Sequence, residues 1–316
     1  MISILLASYN GEKYIAEQID SLLGQTVQDF KLYICDDQST DSTFSIALQF
    51  AEKYPAKIFA MQNKQNSGSA KHNFMKMMIA HKDDYVMLCD QDDIWMPDKI
   101  EKSLKKMKEM EKTYELFTPI LVHSDLKVVD ENLRVISSSH RKRVNADVEK
   151  TSLNNVIAMN TVTGCAAIYN RALSNLILVE PDFMVMHDWW LAITAAALGK
   201  IGTIDEPTVL YRQHDNNDIG SKKTLSFDHT YYFLRHIDTM ASNVNDSYKQ
   251  AGSFLHSNYE RLTEEQRDLL KAFASMSTLS KINRLRTMLK YKTFKQGFTK
   301  KVANIIILLI ERSAAN

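Results

Sequence analysis

The sequence predicts an α/β protein, built as a mostly parallel sheet with helices on both faces and continued by a helical C-terminal region. Three observations lead there. Short apolar runs alternate with amphipathic ones through roughly the first hundred residues, the pattern of repeated strand-helix units. Polar residues gather just after each apolar run. The chain's last proline is Pro207, and beyond it glycine occurs only at 220, 252 and 297, so the final third lacks helix breakers.

Taken in order, Ile2–Ala7 reads as the first strand, and Tyr14, Ile15, Ile19, Leu22 and Leu23 then recur at helical spacing. Lys31–Cys35 reads as a strand, Phe44–Tyr54 as a helix and Lys57–Met61 as a strand. Ser69–His81 is predicted helical and Tyr85–Cys89 extended, with Trp95–Asp98 opening a charged helix that runs to Lys112. A strand over Pro119–Ser124, a basic loop at His140–Arg143 and an apolar segment at Val162–Tyr169 follow. Thr263-Glu264-Glu265-Gln266 ahead of Leu269, Leu270 and Phe273 has the pattern of a capping box. The change of character falls near Gly220, which predicts one domain over 1–220, with halves 1–100 and 101–220, and a helical region over 221–316.

Composition narrows the function classes. With 45% hydrophobic and 24% charged residues, the 316-residue chain has an ordinary globular composition. Its formal charge of +1 hides an asymmetry: Ser280–Lys301 carries eight basic residues and no acid, so the remainder sets 31 basic against 38 acidic residues. No nucleic-acid partner is expected for the acidic body. An anionic surface is the expected partner of the tail. Cys35, Cys89 and Cys165 lack metal-ligand spacing and read as reduced thiols of a cytoplasmic protein. The start lacks a basic segment and reads as a strand rather than a signal peptide. The apolar run Val302–Ile310 is far shorter than the ~20 residues a membrane-spanning helix needs.

In parallel sheets, ligands bind beyond the carboxyl ends of the strands. Three polar clusters fall there: ASYNGEKY (Ala7–Tyr14), CDDQSTDST (Cys35–Thr43) and CDQDDIW (Cys89–Trp95). Each one alone is also what a turn or a helix N-terminus wants. The third is different, because Asp90, Asp92 and Asp93 repel one another unless something positive lies among them. A hard divalent cation that also holds a diphosphate would satisfy that need. The spacing does not fit an EF-hand, and no Walker-type glycine loop is present. Two further clusters stand out. His187-Asp188-Trp189-Trp190 puts a carboxylate at a predicted helix start beside large aromatic rings, which suits either a cap with a core or a general base facing a sugar. YRQHDNN (Tyr211–Asn217) sets Arg212 and His214 on one face if the strand continues, where they could meet diphosphate oxygens or a metal.

Together with ASYNGEKYIAEQIDSLLGQT, NSGSAKHNF, DQDDIWMPDKI and TGCA, these stretches resemble the family-2 glycosyltransferases of the Rossmann-like GT-A fold, and within them the bacterial rhamnosyltransferase-like members. The resemblance covers roughly Ile2 to Gly220. It implies nucleotide and donor contacts from Ala7, Tyr9, Glu12, Asp36, Asp37, Gly68, Lys71, Asn73, Asp90, Gln91 and Arg212. Tyr9 would pack on the base and Asp36 read its edge. Asp90 and Asp92 would be the Asp-x-Asp metal motif for Mg²⁺ or Mn²⁺, with His214 as a further ligand. Asp188 would be the catalytic base, with Trp189, Trp190 and Gly164 lining the acceptor side. The chain departs from the family in having His187 where many relatives have Glu, and Asp215 where close relatives often have Gly.

The implied activity is inverting, metal-dependent transfer of a sugar from a nucleotide-diphosphate donor, dTDP-rhamnose by this likeness, to a glycan or lipid-linked acceptor in cell-surface polysaccharide synthesis. The implied location is the inner face of the cell membrane, with Lys281–Ile310 resting on the membrane or on a second subunit of a homo-oligomer. Nucleotidyl transfer and a non-catalytic nucleotide-sugar-binding module are the competing readings.

Overall fold

The computed structural model describes residues 1–115, 117–214 and 237–310, and the chain divides into two compact units. One comprises Met1–Val144, Val162–Glu180 and Gly199–Gly220; the other comprises Asn145–Thr161, Pro181–Leu198 and Ser221–Asn316. The expected change of unit at Gly220 lies outside the described residues. By contact, however, residues 145–161 and 181–198 group with the C-terminal helices and not with the sheet.

In the first unit, strands β1 (Ile2–Ser8), β2 (Phe30–Asp36), β3 (Ile58–Gln62) and β4 (Tyr85–Asp90) alternate with helices α1 (Ile15–Leu23), α2 (Thr43–Lys53) and α3 (Ala70–Ala80). The sheet order is β3-β2-β1-β4, all parallel. Every residue of β1 is buried, as expected of a strand covered on both faces. The helical spacing read from the sequence places Ile15, Ile19 and Leu22 of α1 in the core.

The sheet continues beyond β4 through β6 (Ile120–Val129), β8 (Ala167–Asn170) and β9 (Lys200–Arg212), in the order β4-β8-β6-β9. Here the pairing becomes mixed. β8 lies antiparallel between β4 and β6, while β6 and β9 run parallel with two register shifts. Two short strands, β5 (Ile94–Trp95) and β7 (Val135–Ser137), add antiparallel edges to β9 and β6.

This corrects two local expectations. Ile94 and Trp95 pair with Leu210 and Val209, so helix α4 begins only at Lys99 and runs to Tyr114. The basic segment His140–Val144 is a short helix, α5, rather than a loop. In both cases the partner is remote in sequence: β9 lies over a hundred residues beyond Trp95, and Arg141 is held by the carbonyls of His123 and Ile204.

The second unit is helical. It holds α6 (Leu153–Ala158), α8 (His187–Leu198; α7 is the short Arg171–Ser174 of the first unit), α9 (Ile237–Asn258), α10 (Glu264–Ala274), α11 (Lys281–Tyr291) and α12 (Phe298–Ile310). The expected capping box forms. Gln266 donates its amide N–H to the Thr263 hydroxyl at 3.3 Å, and Thr263 donates its own to Gln266 Oε1 at 2.9 Å. Gln266 Nε2 also donates to the Ala197 carbonyl at 2.7 Å, tying α10 to the end of α8. Leu269, Leu270 and Phe273 are buried. Among the described residues, no helix is long and apolar enough to cross a membrane.

Candidate active site

Register brings the three polar clusters of the first unit to one sheet edge. Ala7 lies opposite both Cys35 and Asp90, and Ser8 lies opposite Asp36. The loop after β1 is then tied to its neighbours on both sides. Gln91 Oε1 accepts the Tyr9 N–H and Gln91 Nε2 donates to the Tyr9 carbonyl, both at 2.9 Å. That reciprocal pair needs Gly11, because a Cβ there would stand 2.2 Å from Gln91 Oε1. On the other side Asn10, in the left-handed region at φ 46°, donates its N–H to Ser39 and accepts from Thr40 N–H. The Tyr9 ring stays 48% exposed, which leaves a face for stacking.

Several residues expected to touch a donor also build the loops at these strand ends. Asp36 is fully buried and accepts from the Ser39 N–H, Gln62 Nε2 and the Ser8 hydroxyl. Asp37 accepts from the Ser67 N–H and hydroxyl and from Asn63 Nδ2, fixing the 63–68 loop. Buried Asn73 donates to the Cys35 carbonyl at 2.8 Å and accepts from Asn63. Glu12 accepts the Ser42 N–H at the start of α2. Gly68, at φ 85°, turns the loop into α3, whose first turn carries half-buried Lys71.

At the end of β4 the three acids have separate environments. Asp92 and Asp90 are partly exposed. His214 Nε2 lies 2.8 Å from Asp92 Oδ2. Asp93 is fully buried, and one of its oxygens accepts the Arg212 N–H at 3.0 Å, with the Cys165 thiol beside the carboxyl. Burial, then the nearby Asp92 and Asp90 carboxylates, raises the Asp93 carboxyl well above the usual range. Lys99 is fully buried, with Nζ 4.5 Å from the Trp95 ring, and burial lowers it to about 8.

Arg212, expected to contact the donor, is buried beneath the turn's own partners. It is 3% exposed, and its guanidinium donates to Glu17 at 2.6 Å and to the carbonyls of Asp92 and Glu131 at 2.8 Å. The Tyr14 ring carries Arg212 at 4.6 Å and stacks with His214 at 4.9 Å. Arg212 therefore positions the turn, and Tyr14 aligns the imidazole with Asp92. Sequence reasoning missed Tyr14, Glu17 and Glu131, although Tyr14 closes the first quoted cluster.

By residue type, Asp90, Asp92 and His214 suit a hard divalent cation. Two carboxylates two residues apart and an imidazole are suitable ligands for Mg²⁺ or Mn²⁺. An inner group, Asp90, Asp93 and Cys165, has ligand atoms within 4.8 Å of one another. Burial raises both the Asp93 carboxyl and the Cys165 thiol, so their charged, ligating forms are disfavoured there. Asp92 and His214 are in contact beside partly exposed Asp90, although among the described residues these three do not bring their ligand atoms as close together as the inner group does. Gly164 is buried in the turn Gly164–Ala166 ahead of β8.

The remaining site candidates belong to the second unit. Asp188 lies in the first turn of α8, where the helix dipole favours a carboxylate, and accepts from Asn160 Nδ2 at 3.1 Å. Burial lowers the neighbouring His187 to about 3, so it is neutral at physiological pH. Trp189 is half-buried and its indole N–H donates to the Val156 carbonyl at 2.7 Å. Trp190 corrects an expectation: it is 4% exposed and packs edge-on to Phe254 at 5.3 Å, so it is core and not an acceptor platform. The two tryptophans are adjacent on a helix and so face directions ~100° apart. Asp215 lies outside the described residues.

Comparisons with known proteins bear on the family and the fold. The family described as "Glycosyl transferase family 2" matches residues 3–175. The chain is 29% identical over 241 residues to the dTDP-rhamnosyl transferase RfbG of Shigella flexneri, covering 72% of this chain and 76% of that one. Two solved structures share the fold. S. aureus TarS 1-349 in complex with UDP-GlcNAc matches with a TM-score of 0.53 at 19% identity, covering 92% and 91% of the two chains. The mannosyltransferase PcManGT from Pyrobaculum calidifontis, in complex with GDP-Man and Mn²⁺, gives a TM-score of 0.55 at 16% identity, covering 98% and 86%.

Proposed function

The chain belongs to glycosyl transferase family 2 and is a glycosyltransferase of GT-A fold; from that premise we propose that it transfers L-rhamnose from dTDP-rhamnose to a hydroxyl of a glycan or lipid-linked acceptor, with inversion. The observation that carries the donor half is the single sheet edge on which Tyr9, Gln91, Asp90 and Asp92 converge, with His214 hydrogen-bonded to Asp92. The rhamnosyl donor rests on the likeness to RfbG.

In this reading the Tyr9 ring stacks on the base and the Asp37-anchored loop with Gly68 and Lys71 passes the ribose and diphosphate. Asp90, Asp92 and His214 would hold a divalent cation, which when bound neutralises charge on the departing nucleoside diphosphate. Tyr14 and Arg212 keep His214 and the Asp92 backbone in place. Asp188, oriented by Asn160, takes the proton of the acceptor hydroxyl. A single displacement by that hydroxyl inverts the sugar carbon and needs no covalent enzyme intermediate. A protein at the inner face of the cell membrane, serving cell-surface polysaccharide synthesis, is the setting this chemistry suits.

The test is thermal-shift titration with dTDP, UDP and GDP, each with and without Mn²⁺, since a ligand that binds only the folded state raises the melting temperature. A metal-dependent rise largest for dTDP supports the donor assignment. A larger rise for UDP or GDP would reassign the donor, and no rise with any nucleotide would defeat the reading.

A further inference from the structure

Helix α11, Lys281–Tyr291, has one buried side and one side whose composition the fold does not use. Arg284 and Met288 are its buried residues; Arg284 is 1% exposed and donates to the carbonyls of Leu279 and Ser277 at 2.9 and 2.7 Å. On the outer side, Ile282 is 66%, Leu285 36% and Leu289 60% exposed. Their spacing of three and four residues aligns them as one apolar stripe along the helix. Arg286 and Lys290 flank the stripe on one edge and Lys281 on the other, all exposed, and Lys292 follows at the helix end. No acid occurs between Ser280 and Ile310.

Three aliphatic side chains left in water, bracketed by cations on both edges, form the pattern of a helix that lies in a membrane interface. There, the apolar side chains enter the acyl boundary while the long basic ones reach anionic headgroups. A packed subunit interface would call for opposite charges facing this rim, whereas the chain's own basic edges would repel a second copy of the same face. We propose that α11 is a docking face for an anionic lipid bilayer, with Ile282, Leu285 and Leu289 as the inserted stripe and Lys281, Arg286, Lys290 and Lys292 as the headgroup contacts. This assignment is independent of which donor the enzyme uses.

The test is vesicle co-sedimentation of the full chain, with phosphatidylcholine vesicles containing ~30% phosphatidylserine against pure phosphatidylcholine. The wild type is expected to sediment with the anionic vesicles only, and less as salt is raised. The triple variant Ile282→Ser, Leu285→Ser, Leu289→Ser and the charge variant Arg286→Gln, Lys290→Gln should each lose about tenfold in partitioning, with the melting temperature unchanged. Wild type remaining in solution, or either variant binding as well as wild type, overturns the proposal. So does a concentration-dependent dimer that the triple variant abolishes without any vesicle binding by the wild type.

Discussion

Nε2 of His214 lies 2.8 Å from Oδ2 of Asp92, and the same imidazole stacks on Tyr14, whose ring also carries Arg212. The residues just after β9 are thereby fixed against those just after β4, and the carboxylate is held beside the imidazole. Replacing Asp92 with Ala should abolish metal-dependent donor binding while leaving the fold intact. His214→Ala should weaken Mn²⁺-dependent binding by about one to two orders of magnitude, as loss of a metal ligand or its orienting partner does. Isothermal titration with nucleotide diphosphate and Mn²⁺ reads both.

Arg212→Lys tests the positioning role. Lysine keeps the charge but cannot make three separate contacts in a fixed planar fork. The variant should be destabilised by about 2–4 kcal/mol, since it leaves a poorly paired cation in a buried place. If Arg212 instead met the diphosphate directly, the lysine would largely rescue binding and cost little stability. Urea denaturation beside nucleotide titration separates the two.

Gly11→Ala and Gln91→Ala should be equivalent and not additive. A Cβ at Gly11 displaces the Gln91 amide, which is the flexible end of that side chain, so the loss is the two hydrogen bonds to Tyr9. Each single variant should lose about 1–2 kcal/mol, and the double variant no more than either. Full additivity in a double-mutant cycle would mean that the Gly11 contact and the Gln91–Tyr9 pair are unconnected.

Acid should destabilise the sheet unit through His123. This residue is 1% exposed, and burial, with Arg141 alongside, lowers its imidazole to about 3 from 6.5. The unfolded chain therefore binds more protons than the folded one between those values. Stability is complete above the unfolded value and falls as pH drops, by about 1.4 kcal/mol per pH unit for this one group. The variant His123→Gln should lose less stability than wild type between about pH 7 and about pH 5.5 in urea titrations. An identical pH slope in both would contradict the assignment.

Much of this was legible in the sequence, and what was not has a common cause. The alternation of β1 to β4 with α1 to α3 is local, because Ile15, Ile19 and Leu22 or the run Ile2–Ala7 carry their periodicity within a few residues. The strand-end clusters were legible for the same reason. What escaped depends on partners remote in sequence. The burial of Arg212 is not visible until Glu17 and Tyr14, nearly two hundred residues earlier, are placed around it. Trp95 looks like a helix start until Val209 pairs with it. Trp190 is indistinguishable from Trp189 until Phe254 covers one of them. Asp93 differs from Asp90 and Asp92 only in burial, which nothing in the motif specifies.

Glycosyl transfer with Asp188 as base makes a direct prediction about the released nucleotide. Its most direct test follows dTDP-rhamnose consumption with Mn²⁺ and an acceptor extract, identifying the released nucleotide for wild type and for Asp188→Asn. Release of dTDP by the wild type is expected. The variant should bind dTDP within about twofold of wild type but turn over at least about a hundredfold more slowly, the size expected for losing a general base. Release of pyrophosphate in place of dTDP, or undiminished turnover by Asp188→Asn, would contradict this reading.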